Sequence, residues 1–298
     1  MAKSGFASFI GRPNAGKSTL LNQIIGTKIA IVSDKPQTTR NRILGVKNFD
    51  EGQLILLDTP GIHRPLHRMN VRMVDVALDS IGQVDVLALV VDATGRPGQG
   101  DRFVVGLLEG VQIPVVLVLN KIDLIAKPRL LPLIEWYRQQ WDFTQVVPTS
   151  ALTGDGVDTL ERAILASLPE GPPLYPDDFL TDQPERALAA ELVREQLLRC
   201  THTEIPFSST VVVERFEEAD ARGILRIYAS VVVERDSQKR IVIGRGGEMI
   251  KRIGTAARLE IERLFGTRVF LDLHVKVRSA WRENERMLDT LGVPRRRS

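Results

Sequence analysis

Gly11-Arg-Pro-Asn-Ala-Gly-Lys-Ser18 constrains this chain more than any other stretch, because it follows an apolar run, Phe6 to Ile10, and leads into a helix-like run, Thr19 to Ile25. The order reads strand, loop, helix. In that context GxxxxGKS is a phosphate cradle: glycines let the backbone wrap tightly, and successive N–H groups with the helix N-terminus offer donors and positive potential. Gly11, Arg12, Pro13, Asn14, Ala15 and Gly16 form the loop, and Thr19 opens the helix. Lys17 is placed to reach the β- and γ-phosphates, and the Ser18 hydroxyl to hold Mg2+.

The next short motifs sit at the ends of apolar runs. Strands are expected at Gly5 to Ile10, Arg42 to Phe49, Gln53 to Leu57, Val84 to Val91, Pro114 to Leu119 and Gln145 to Pro148. Helix-like segments intervene at Lys17 to Ile25, Asp101 to Glu109, Pro128 to Gln140 and Val157 to Leu168. Such alternation implies a mostly parallel sheet with helices on both faces, and ligands of such sheets bind at the C-terminal strand ends. Asp50-Glu-Gly52 reads as a hairpin turn, which makes Arg42 to Phe49 an antiparallel edge strand.

Asp58-Thr59-Pro60-Gly61 follows the third strand. The Asp58 carboxylate there suits a Mg2+-bound water and the Gly61 N–H a γ-phosphate. Asn120-Lys121-Ile122-Asp123 follows the fifth. The Asp123 carboxylate can accept two parallel hydrogen bonds from N1–H and the exocyclic amino group of guanine, a donor pair that adenine lacks. Thr149-Ser150-Ala151 follows the sixth, with backbone N–H groups suited to the guanine carbonyl.

Those motifs, in that order, resemble the signature of small GTPases. The resemblance implies a switch-loop threonine as a further Mg2+ ligand, and Gln37-Thr-Thr-Arg40 supplies Thr39, with Thr38 the alternative. One departure bears on mechanism. The residue after Asp-x-x-Gly is Ile62 rather than a glutamine, and isoleucine cannot orient or deprotonate water. Slow hydrolysis is expected. Ribosome-associated GTPases with an apolar residue there often carry an Asn in the cradle. The resemblance implies that Asn14 helps hold K+ beside the phosphates, where negative charge develops; the other reading of Asn14 is a turn residue. Lys17, Asn14, Thr39 and Gly61 are thus the residues expected to carry the chemistry. His63 and His67 lie four apart, but Pro65 between them and the lack of an accompanying glutamate argue against a metal site and for a polar switch loop.

Pro169 to Pro184 holds five prolines and a glycine, which no helix or central strand sustains. It marks a boundary: a GTPase domain at 1–170, a semi-rigid linker at 171–184, and a second domain at 185–298. The second domain reads helix (Glu185 to Cys200), strand (Phe207 to Phe216), strand (Gly223 to Glu234), helix-rich region (Ser237 to Phe265), strand (Thr267 to Val277) and helix (Ala280 to Leu291). Without a βαβ repeat, this is a small α+β domain. Between its helical segments lies Gly244-Arg245-Gly246-Gly247, flanked by Ile243 and Ile250. This GxxG resembles the loop of a type II KH domain, where glycine lets a single-stranded nucleotide chain approach the backbone. Arg245, Lys251, Arg252 and Arg258 are the expected phosphate contacts, with bases on the apolar groove near Ile243 and Ile250. Charge agrees. From Lys239 onward there are 15 Lys and Arg against 7 Asp and Glu, in a chain whose net charge is only +3. The Arg295-Arg-Arg297 tail extends that surplus.

The two halves together resemble the bacterial Era family of GTPases along essentially the whole chain. That resemblance implies binding near the 3′ end of 16S rRNA, assistance to rRNA processing and 30S subunit biogenesis, a monomer, and peripheral association with the inner membrane. An RNA chaperone or scaffold with incidental GTP turnover is the alternative. No run approaches the roughly twenty apolar residues of a membrane span, and the start lacks a signal-peptide core, so a cytoplasmic location is expected. The lone Cys200 excludes an internal disulfide.

Overall fold

The computed structural model describes residues 2–62 and 67–293. His63 and the Arg295–Arg297 tail lie outside them.

The first half runs β1 (Lys3–Ile10), α1 (Lys17–Ile25), β2 (Ile43–Phe49), β3 (Gly52–Asp58), α2 (Arg68–Ile81), β4 (Val86–Asp92), α3 (Gln99–Gly106), β5 (Val115–Asn120), α4 (Leu130–Arg138), β6 (Gln145–Pro148) and α5 (Val157–Ser167). Its six strands order as β2-β3-β1-β4-β5-β6. All neighbours are parallel except β2 and β3, which pair antiparallel across the Asp50–Gly52 turn. Every residue of β3 and β5 is buried. Between their ends, Leu54–Leu57 and Val115–Leu119 are apolar, as strands covered on both faces demand, and this run is what makes them readable in the sequence. One apolar cluster lies under α1 and α5, and another fills the opposite face with Ile62, Ala77, Val104 and Tyr137. Each fully buried leucine there contributes about 1.5–3 kcal/mol relative to exposure.

The sequence pattern does not predict the helix α2. Its buried Met69, Met73, Val76, Ala77 and Ser80 recur at helical spacing, but they follow a His-, Arg- and Pro-rich stretch that reads as loop.

The segment 171–184 runs along the edge of the sheet. Thr181 bridges to Gly45, the Val46 N–H donates to Leu180 O at 2.9 Å, and Gln53 Nε2 donates to Tyr175 O at 2.8 Å. Tyr175 and Phe179 stack at 4.6 Å. Its prolines exclude regular structure, yet its backbone finds partners on β2 and β3.

The second half runs α6 (Glu185–Cys200), α7 (Ile205–Ser208), β7 (Thr210–Glu217), β8 (Ile224–Val233), α8 (Asp236–Ile243), α9 (Glu248–Phe265), β9 (Arg268–Val277) and α10 (Glu285–Thr290). The sheet orders as β7-β8-β9, antiparallel then parallel. The expected strand at Phe207 begins instead at Thr210, because Pro206 starts a short helix. The expected helix from Ala280 reduces to a 3-10 turn at Trp281–Glu283 and α10, whose Asn284 side chain caps it by accepting the Met287 N–H.

The halves are joined by more than the linker. Ile31 belongs to the apolar cluster of the second half, and Met69 and Met73 of α2 pack with Trp281, Leu288 and Val293.

Candidate nucleotide site and RNA groove

Register brings the cradle and the Asp58 motif together: Phe9 pairs with Asp58, and Leu119 of β5 pairs with Pro148. The motifs therefore open onto one end of the sheet. A cavity of about 330 Å3 lies there, lined by Pro13, Asn14, Lys17, Ser18, Thr39 and Gly61 among others.

Three oxygen-bearing side chains converge at its floor. Ser18 Oγ donates to Asp58 Oδ2 at 2.6 Å and lies 2.7 Å from Thr39 Oγ1, which donates to the same Asp58 oxygen at 3.3 Å. Thr38 does not join them: its hydroxyl donates to Lys35 O at 2.6 Å. Asp58 is fully buried, and its other oxygen, Oδ1, has no partner. Burial raises the Asp58 pKa from the usual carboxylate range, against the charge of Lys17 and the Ser18 and Thr39 hydroxyls. An unpaired buried carboxylate oxygen beside two hydroxyls is a set of hard oxygen donors that fits Mg2+ and its water shell.

Lys17 lies inside the cradle, donating to the carbonyls of Gly11 at 3.2 Å and Arg12 at 3.0 Å. Burial pulls its ammonium down to about 8, with Asp58 opposing. Gly16 has φ 94, and a Cβ there would meet Asn120 Nδ2 at 2.1 Å, so only glycine fits. Gly61 passes against Pro13, whose Cα would stand 2.6 Å from an added Cβ. Pro60 is buried, Thr59 Oγ1 donates to Phe9 O at 2.7 Å, and the buried Ile62 donates its N–H to Gly11 O at 3.1 Å. Asn14 adopts φ 63 and donates through Nδ2 to Asp34 O at 2.7 Å, joining cradle to switch loop. Arg12 pairs with Asp101 of α3 at 3.0 Å, and Ala15 is buried.

Asn120 acts as a tether. Its Nδ2 donates to Ala15 O at 2.8 Å, and its Oδ1 accepts the Ala151 N–H at 2.9 Å. The Ser150 N–H is also engaged, with Asp155 O at 2.8 Å. Lys121, at φ 68, pairs with Asp92, a residue the motifs do not reveal because it closes an ordinary apolar strand. Ile122 donates its N–H to Thr149 O at 3.1 Å. Asp123 is exposed and has no hydrogen-bond partner among the described residues.

In the second half, the glycine loop joins α8 to α9 and presents Arg245 and Gly246 to solvent. Gly246 has φ 60 with open space where a Cβ would project. Beside it, a groove of about 260 Å3 is lined by Ile250, Lys251, Gly254, Arg258, Leu271 and Leu273. The far wall, Leu271 and Leu273 of β9, carries no functional signal in the sequence because alternation marks it only as half-buried strand. Ile243 is half-buried in the apolar cluster, Arg252 contacts Met249 Sδ at 3.2 Å, and Arg258 pairs with Glu262 at 2.9 Å.

Comparison with known proteins gives a match in each half. The model of the 50S ribosome-binding GTPase family matches residues 6–121, and that of the KH domain matches residues 204–282. The chain is 51% identical to GTPase Era of Geobacter metallireducens over 290 residues, 97% of each protein. It is 54% identical to GTPase Era of Geotalea daltonii over 289 residues, again 97% of each. The chain belongs to the Era family of GTPases.

Solved Era structures share the whole architecture. A point variant of Aquifex aeolicus Era bound to GDP·AlF4− superposes with TM-score 0.94 at 40% identity, covering 98% of this chain and 100% of that one. Era in complex with MgGDPNP and nucleotides 1506–1542 of 16S rRNA also superposes with TM-score 0.94 at 40% identity, covering 99% and 100%. The chain is a GTPase with a KH domain.

Proposed function

We propose that this GTPase couples a GTP cycle to holding the 3′ end of 16S rRNA, assisting its processing and the assembly of the 30S subunit. The observation that carries the nucleotide part is the convergence of Ser18, Thr39 and Asp58, with Asp58 Oδ1 buried and unpaired. Ser18 and Thr39 would ligate Mg2+ directly and Asp58 through a water. The ion would neutralise charge on the phosphates when bound. Lys17 supplies a second positive charge at the same phosphates, and the Gly61 N–H a donor to the outermost one. Asp123, exposed and unpartnered among the described residues, is available to the guanine edge.

Ile62 orients no water, so electrostatic stabilisation has to carry the rate. Asn14 has its amide nitrogen tied to Asp34 O, which leaves its oxygen for K+ beside the phosphates. The relative crystallised with nucleotides 1506–1542 of 16S rRNA supports the RNA part, as does the glycine loop beside an apolar groove. No described helix is long and apolar enough to cross a membrane. Peripheral attachment to the inner membrane enters the proposal through family resemblance alone.

Ile62 also favours a second reading, a scaffold in which turnover is incidental. Single-turnover hydrolysis with and without an RNA of the 16S 3′ end separates the two. Stimulation by RNA, and a faster rate in K+ than in Na+, are expected. A rate unmoved by RNA selects the scaffold, and equal rates in the two salts remove Asn14's cation role.

A further inference from the structure

The helix α6 opens the RNA-binding half, yet it lies across the loop that carries Thr39. Arg194 and Glu195, adjacent on α6, are both almost fully buried. Glu195 Oε1 accepts the Val32 N–H at 3.0 Å, while its Oε2 accepts the Lys28 ammonium. Arg194 donates through Nη2 to the carbonyl of Thr38 and is itself held by Glu191, its Nε donating at 2.8 Å. One dipeptide therefore grips the switch loop where it enters, at Val32, and where it leaves, one residue before Thr39.

The stretch between these two pins has little else to fix it. Ser33, Asp34 and Lys35 bond mainly to one another and to the Thr38 hydroxyl, and among the described residues the hydrogen bond across the cleft is the donation from Asn14 to Asp34 O. The position of the Thr39 hydroxyl at Ser18 and Asp58 thus depends on backbone held from the other half of the molecule. Taking two ionised groups out of water is costly and stabilises little by itself. Held at a domain boundary, such a pair fixes one arrangement rather than adding strength. Lys28 extends the connection: it also reaches Glu260 of α9, at 3.3 Å, on the helix that follows the glycine loop.

We propose that Arg194 and Glu195 are positioning residues for GTP hydrolysis, setting the Thr39 hydroxyl at the Mg2+ site from within the RNA-binding half. This rests on reading Thr39 as a Mg2+ ligand. Neither side chain touches nucleotide; each acts through switch-loop backbone, at Val32 and at Thr38.

The test uses the full chain and titrates Mg2+ in a GTP turnover assay. Arg194→Met keeps the buried volume and removes the donor. The half-saturating Mg2+ concentration is expected to rise about tenfold and kcat to fall in parallel, while RNA affinity stays within about twofold of the parent because the groove is untouched. Arg194→Lys restores one donor and recovers part of the loss. Glu195→Gln keeps an oxygen for the Val32 N–H but loses the charge that pairs with Lys28 and Arg199, and falls between. A lower melting temperature with parental kcat and Mg2+ dependence in Arg194→Met overturns the proposal, because a merely structural pair behaves so. Should Arg194→Met not fold, Arg194→Lys and Glu195→Gln decide by the same readouts. Thr39→Ala separates the layers. If it leaves Mg2+ dependence unmoved, the Thr39 reading falls and the positioning role with it. If it shifts that dependence while the α6 variants do not, only the positioning role falls.

Discussion

Lys17, Thr39 and Asp58 are buried in the nucleotide cleft and already bonded to one another or to nearby backbone, whereas Arg245, Lys251 and Arg252 stand exposed beside the glycine loop. Both regions are proposed to meet phosphates. In the cleft, donors are fixed before any ligand arrives, so little reorganisation accompanies binding and one geometry is selected. At the groove, Arg245 and Lys251 have no ion-pair partner among the described residues, so their charge is free to attract a polyanion from a distance and to adapt to its path. Preorganised burial suits chemistry on one small ligand. Open, unpaired charge suits a long, irregular one.

Breaking the cleft should have the largest effect. Lys17→Ala removes a buried charge from the phosphates, which costs about 2–5 kcal/mol of GTP affinity, or roughly thirty- to several-thousand-fold. RNA binding should persist, because most of the KH core is a separate cluster. Equilibrium titration with a fluorescent nucleotide reads the first and filter binding the second. The pH dependence points the same way. With Lys17 near 8 in the nucleotide-free protein, it loses its proton as pH rises through that value, whereas bound phosphates hold the proton on. Affinity present at pH 7 should therefore decline by pH 9, and a flat profile would contradict the burial of this ammonium.

Asp123→Asn comes next. Losing a charged acceptor for guanine costs about 1.5–3 kcal/mol, while the new amide can donate to the second carbonyl of xanthine. Competition between GTP and XTP should invert, and unchanged GTP preference would dismiss Asp123 as the selector.

Asp123 is proposed as selector from residue type and order alone, and the reason is chemical. A Mg2+ ligand, a phosphate cradle and a guanine acceptor each admit few residue types, so Ser18, Asp58 and Asp123 stand out in the sequence as candidates for these roles. Asn120 carries the same motif signal, yet its amide spans Ala15 and Ala151 within the protein; an amide reads alike whether it meets a base or ties loops together. The buried parallel strands are equally legible, because burial on both faces selects unbroken apolar runs such as Leu54–Leu57 and Val115–Leu119. The helix α2, the path of 171–184 along β2 and the grip of Arg194 and Glu195 on the switch loop are not. Each depends on partners far away in sequence, and neither periodicity nor propensity records which distant carbonyl an arginine will find.

Gly246→Asp probes the other side of the comparison. At φ 60 with open space around it, the position accepts Asp at modest strain, and the carboxylate would project where RNA phosphates are proposed to pass. RNA affinity should fall about tenfold and the salt dependence should flatten by about one unit of slope, with GTP turnover in the absence of RNA unchanged.

The smallest effect is the most discriminating, because it sets two cations in one groove against each other. Lys251 and Arg258 both line it, but Arg258 is committed to Glu262 through two contacts, at 2.9 and 3.0 Å, while Lys251 is exposed and unpaired among the described residues. If free charge is what the groove offers to RNA, Lys251→Ala should weaken binding about threefold and lower the salt slope by about one. Arg258→Ala leaves Glu262 still accepting the Val269 N–H at 3.0 Å and removes a cation already neutralised, so its slope should barely move. Filter binding across a salt series compares them directly. Equal slopes for the two variants would mean that RNA breaks the Arg258–Glu262 pair on binding, and that this groove exchanges an internal bond for ligand bonds.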